Sequence, residues 1–148
     1  MKTLLDPSTQ AEIVQRLNLV RPDSIRKWGK MTPHQMICHL ADSFRGMLSE
    51  KPISMATGLF QSTVMKWGAL RVPLEWPHGI PTRPEMDQQR GGTPPADFAR
   101  DLQDALTLMQ RFLAGPKAHH PFFGAMSEWE WMRWAYLHMD HHLRQFGC

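Results

Sequence analysis

Two four-residue stretches, Thr32-Pro33-His34-Gln35 and Ser127-Glu128-Trp129-Glu130, constrain the fold of this chain more than any other feature. Each sets a hydroxyl residue three positions ahead of Gln or Glu. In that spacing the hydroxyl accepts from an orphan helical amide while the longer side chain reaches back to the cap amide. Pro33 adds a first-turn φ already suited to a helix and lacks the N–H that would go unpaired there. The first stretch predicts a helix over about 33–49. The second predicts one that continues toward Gly147, which is placed to act as the residue just past the helix end.

Between these two starts, Phe98, Leu102, Ala105, Leu106, Met109 and Phe112 recur at spacings of three and four, which predicts a helix over 95–114. Residues 54–70 are apolar and free of breakers apart from Gly58 and Gly68, and also read as helical. A short helix over about 8–17, capped by Asp6 or Ser8, precedes them, with Ile13 and Leu17 as its apolar pair. No alternation suited to a strand is present. Residues 72–95 hold six of the twelve prolines and cannot be regular helix. A loop of that length is either a pocket wall or a crossover spanning a bundle. Apolar stripes must bury against one another, so the expectation is an all-α single domain over 1–148: a four-helix bundle with a short additional N-terminal helix and a long Pro-rich connection.

Composition bears on function mainly by exclusion. A length of 148 residues with 42% hydrophobic and 21% charged residues suits one core and argues against disorder. The formal charge is +3 and the seventeen basic residues form no run, which argues against nucleic acid as a partner. Cys38 and Cys148 form no CxxC pair, favouring a reducing compartment and a cytoplasmic protein. Neither the apolar run of a signal peptide nor a membrane-length apolar stretch is present. Six tryptophans and eleven methionines suit a tightly filled core or a roomy apolar pocket.

The segment His138-Met-Asp-His141-His142 carries the chemistry. At about 100° per residue, His138 and His142 straddle the centre of the apolar face marked by Trp131 and Ala135, while Arg133, Asp140 and Arg144 share the opposite, solvated side. Buried imidazoles need partners, and two at i and i+4 can converge on one divalent ion. The alternative is a pair of core histidines hydrogen-bonded to neighbours. A third ligand would come from a facing helix, and His39 shares the buried side of the helix that starts at Thr32. By the same count His34 faces out and Cys38 points away. Asp42 and Gln35 lie one turn from His39 and, with His141, are candidates for a proton shuttle or for orienting the ligands.

Together, W28-G-K-M-T-P-H-Q-M-I-C-H39-L-A-D42, H120-P-F-F-G124 and H138-M-D-H-H142-L-R-Q-F-G resemble the DinB-like metalloprotein superfamily, in a branch with its own HPFFG segment. The resemblance covers both ends of the chain and leaves the middle to vary. It implies a four-helix bundle holding a divalent metal, zinc or nickel first and iron or manganese next, on His39, His138 and His142. Three nitrogens with open positions describe a catalytic rather than a structural site. The resemblance further implies a thiol-dependent transferase or a metal-assisted hydrolase acting on a small molecule, with a low-molecular-weight thiol as a candidate cosubstrate. The competing reading is a non-catalytic metal- or ligand-binding module. His120 and Pro121 either line a pocket mouth or, with Phe122 and Phe123, pack the entry to the last helix; for the two phenylalanines packing is favoured. Trp129, Trp131 and Trp134 suit the core or a homodimer contact.

Overall fold

A computed structural model describes residues 1–148. Five α-helices, α1 (Pro7–Leu19), α2 (Pro33–Met47), α3 (Lys66–Arg71), α4 (Phe98–Ala114) and α5 (Glu128–Gln145), make up the regular structure, with no strand. No helix is long and apolar enough to cross a membrane.

Local chemistry sets the helix ends. The Thr32 hydroxyl accepts from the Gln35 amide at 3.1 Å and Gln35 Oε1 accepts from the Thr32 amide at 2.9 Å. Ser127 and Glu130 repeat this at 3.3 and 2.8 Å. Asp6 caps α1 through the Ser8 amide, and Asp97 caps α4 through the Arg100 amide, so α4 begins three residues after the expected start at Pro95. At the far end of α5, Gly147 takes φ +77°. The Cys148 amide reaches Leu143 O and the Gly147 amide reaches Arg144 O, both at 3.1 Å, which closes the last carbonyls in a Schellman motif.

α2 packs chiefly on α4, and α5 receives α1 and α3 on other sides. Every residue of α2 from Met36 to Phe44 is buried, so this helix has no solvated stripe in its middle. The core joins it to α4 through Phe44 and Phe112, whose rings are 5.2 Å apart, and from there to Trp131 and Trp134 of α5.

Three expectations need correction. Residues 54–58 are not helical, and the Ala56 amide donates to Pro121 O at 2.7 Å; the helical stretch starts near Leu59, passes a π-helical turn at Gln61–Met65 and continues as α3. Much of its apolar surface, including Leu59, Phe60, Val64 and Trp67, is exposed rather than packed. Arg133 is 5% exposed, not solvated: its guanidinium donates to Leu70 O at 3.1 Å and to Lys2 O at 2.8 Å. The ends of α3 and of the chain's first segment cover that side of α5. Cys38 is 3% exposed, because the side of α2 opposite the histidine faces α4 instead of water.

Residues 72–95 are irregular apart from one 3₁₀ turn at Pro84–Met86. They wall the interior against α2. The Thr93 amide and hydroxyl donate to Asp42 at 2.6 and 2.7 Å, and Trp76 Nε1 donates to Ala69 O at 2.9 Å.

Candidate metal centre

α2 and α5 bring His39, His138 and His142 together. His39 is 4% exposed, and the other two are half-buried. Ring centroids stand 5.1 Å (His39–His138), 4.6 Å (His39–His142) and 4.9 Å (His138–His142) apart, with interplanar angles of 72°, 63° and 85°. The rings thus meet edge-on in a nearly equilateral triangle, the attitude in which in-plane lone pairs can converge. One nitrogen from each lies within 4.8 Å of the others.

The outer nitrogens fix which lone pairs face inward. His39 Nδ1 is 2.9 Å from Met86 O, a carbonyl that only accepts, so Nδ1 carries the hydrogen and Nε2 the lone pair. His142 Nδ1 is 3.1 Å from Gln145 Oε1. The amide orientation follows from Gln145 Nε2 donating to Trp28 O at 2.8 Å, so His142 also presents Nε2. His39 Nε2 and His138 Nε2 face one another at 3.1 Å. Ligand nitrogens about 2.0–2.1 Å from a tetrahedral ion stand about 3.3–3.4 Å apart, so a small widening of this pair seats a cation. Without one, a hydrogen bond can satisfy two of the three inward nitrogens, whereas a shared cation engages all three. His138 Nδ1 is buried with no partner, which leaves this imidazole the least well supported of the set.

Burial pushes all three pKa values below the ordinary histidine value, His138 and His142 far below it, and the neighbouring imidazoles add to the shift for those two. For His39 the hydrogen bond to Met86 and the charges of Asp42 and Asp87 oppose burial without overcoming it. Neutral imidazole is the ligating state. The donor set therefore fits a divalent metal.

The remaining candidates are distributed around this cluster. Asp42 is fully buried, and its carboxylate accepts from Arg45 at 3.0 Å, Lys51 at 2.8 Å, Thr93 and Gln88. Burial alone would raise its pKa, but the bonds from Lys51 and Thr93 outweigh that and hold it below the usual carboxylate value. Asp42 ties the 88–93 stretch to α2 rather than reaching the imidazoles. Gln35 commits its oxygen to the Thr32 cap. His141 lies outside the triangle, 5.2 Å from His142 and among Trp28, Trp76 and His78 at 6.0–6.4 Å. Its pKa is lowered, by burial first and then by His78.

Several contributors escape sequence reasoning. Trp134 stacks on His138 at 5.2 Å and 17°, Trp76 lies 6.4 Å from it, and Trp28 stacks on His78 at 4.0 Å. Gln145 was within reach, since it follows His142 by three positions on the buried flank. Met86 was not, because its contribution is a backbone carbonyl. His120 is a packing residue: its Nδ1 accepts from the Phe122 and Phe123 amides at 3.2 and 3.0 Å, and its ring stacks on Phe123. Burial lowers its pKa to about 3.

A second cluster lies on the α4 side of α2. His34 Nε2 is 2.7 Å from Asp101 Oδ2, and Cys38 Sγ is 3.7 Å from the same oxygen. Burial, then Asp101, pushes the Cys38 thiol up to about 12, so it is no free nucleophile at neutral pH.

The chain is matched over residues 3–147 by the family described as "Protein of unknown function (DUF1569)". No curated protein and no solved structure matches it.

Proposed function

We propose that this chain, which belongs to the DUF1569 family, is a divalent-metal protein built on a DinB-like four-helix bundle, with His39, His138 and His142 as its ligands. The observation that carries the reading is the inward convergence of three imidazole nitrogens whose outer nitrogens, in two of the three, are held by Met86 O and Gln145 Oε1. Such outer hydrogen bonds set ring orientation and raise ligand basicity. The DinB-like resemblance of the W28–D42, HPFFG and H138–G147 stretches supports the same ligand set.

When bound, the metal would supply Lewis acidity toward a water or a thiol, and zinc or nickel suits three imidazoles best. His39, His138 and His142 leave at least one position of a four-coordinate ion without a protein ligand, which favours an enzyme over a structural site. The class of reaction proposed is thiol transfer or hydrolysis on a small molecule. Trp134 and Trp76 flank His138 and limit water around the cluster.

A specific observation favours a second reading, a non-catalytic metal module: Met86 binds His39 and Trp76 approaches His138, both from the 72–95 segment that covers this side. Elemental analysis of gently purified protein tests the shared premise. His142→Ala is expected to hold about one equivalent of metal per chain less than the parent. Equal metal content and equal zinc uptake in the parent and in His142→Ala would refute both readings. Water relaxation by a cobalt- or manganese-loaded sample then separates them, since an enzyme site must relax solvent and a closed module must not.

A further inference from the structure

We propose that His34, Cys38 and Asp101 form a second, thiolate-containing metal site on the opposite side of α2, suited to zinc or a similar borderline cation. His34 and Cys38 are one turn apart on α2, and Asp101 projects from the first turn of α4, with one ligand atom of each within 4.8 Å of the others. An i, i+4 pair completed by a carboxylate from the packed helix is a sufficient three-ligand set for zinc.

The arrangement around the carboxylate is uneven. Asp101 Oδ2 receives His34 Nε2 at 2.7 Å, the Ala96 amide at 3.0 Å and Cys38 Sγ at 3.7 Å, while Oδ1 has no protein partner. Sulfur and oxygen bound to one tetrahedral zinc, at about 2.3 and 2.0 Å, stand about 3.5 Å apart, so Cys38 already sits at ligand spacing. The imidazole must retreat from Asp101 by roughly 0.6 Å to reach the corresponding nitrogen–oxygen separation. His34 is half-buried in the first turn of α2, 22% of its side chain open to solvent, and Phe98 supports its ring edge-on at 5.3 Å.

The sulfur selects the metal. Cys38 is buried with Asp101 as its one hydrogen-bond partner, and a thiolate donor prefers zinc over magnesium or calcium. Binding displaces the thiol proton, which leaves to solvent past the half-buried His34 and Asp101. The two sites are independent: His39 addresses α5, whereas its neighbour Cys38 addresses α4. This proposal does not rest on the function proposed above.

Cobalt distinguishes the sites, because only a sulfur ligand gives an intense near-ultraviolet thiolate-to-cobalt charge-transfer absorption. Cobalt chloride is titrated anaerobically into the full chain carrying Cys148→Ser, which removes the other thiol. The expected result is a band that persists in His142→Ala, where it saturates at one equivalent. It should vanish in Cys38→Ser, and its apparent Kd should weaken at least tenfold in Asp101→Asn. Cobalt uptake without the band, or a band whose apparent Kd is indifferent to Asp101→Asn, overturns the proposal. Far-ultraviolet circular dichroism verifies folding; should Cys38→Ser fail to fold, the nearly isosteric Asp101→Asn decides alone. Loss of the three-histidine site leaves this band untouched, so the two proposals can fail separately.

Discussion

Replacing Gln145 by Met tests whether the outer hydrogen bonds of the histidine cluster govern metal affinity. Gln145 is 4% exposed and bridges Trp28 O to His142 Nδ1. Methionine keeps much of the volume and removes both bonds. In the metal-free variant His142 can shift its hydrogen to Nε2 and avoid an orphaned donor. Ligation demands the Nε2 lone pair, so the unpaired Nδ1–H is then forced into an apolar setting, at a cost of about 1.4–2.8 kcal/mol. At about 1.4 kcal/mol per decade, zinc affinity should fall 10–100-fold. Competition with a chromophoric chelator at fixed pH and salt measures it. Gly29→Ala supplies an independent arm: Gly29 has φ +81°, and a Cβ there would meet Gln145 Nε2 at 2.4 Å, so the amide must move. Both variants should weaken zinc in the same direction. Affinity within twofold of the parent in both would refute the idea that Gln145 sets the His142 tautomer.

Other expected outcomes follow from the buried polar groups. Asp42→Asn leaves Lys51 short of a counter-charge, while Arg45 keeps Asp104, and should cost about 1–3 kcal/mol in urea unfolding, with faster proteolysis in 72–95; a loss under about 0.5 kcal/mol would show that the Asp42 network does not hold the loop. His120, held near pKa 3 when folded, favours the native state fully above the ordinary histidine value of about 6.5. That stability drains as pH falls from there toward 3. His120→Asn, whose amide oxygen can still accept from Phe122 and Phe123, should therefore flatten the stability–pH slope by about one proton between pH 6 and 4; an unchanged slope would contradict the assignment. Arg133→Met should lower stability by about 1–3 kcal/mol, since Leu70 O and Lys2 O lose their donors, and a neutral thermal shift would mean water replaces the guanidinium there.

Residues whose surroundings lie within one or two turns were readable in the sequence, and those whose surroundings arrive from afar were not. Thr32 with Gln35, Ser127 with Glu130 and Gly147 each complete their chemistry inside five residues, so spacing alone places the helix ends. Helical period likewise put His138, His142 and His39 on inward faces, because that inference needs only the angle between neighbours on one helix. The same period failed for Arg133 and Cys38. A wheel assumes one buried stripe and one wet one, yet α5 is covered on a second side by the backbone at Lys2 and Leu70, more than sixty residues away. α2 is enclosed all round from Met36 to Phe44.

The enclosure of α2 has a chemical consequence that a one-sided amphipathic helix would lack. A helix wet on one face can present polar side chains toward a single interior; one packed between α4 and α5 presents them toward two. His39 meets the α5 imidazoles and the Met86 carbonyl, while Cys38, one residue earlier, meets Asp101 of α4. The 72–95 segment reaches both His39, through Met86, and Asp42, through Gln88 and Thr93. Its Pro-rich sequence suits that task, since backbone outside long helices leaves carbonyls and amides free to bond to side chains that would otherwise be orphaned. The sequence marked this stretch as irregular. What it could not display is that the stretch, through the Met86 carbonyl at the end of its 3₁₀ turn and through Gln88 and Thr93, supplies the hydrogen-bond partners by which two buried polar residues on α2 keep a fixed orientation.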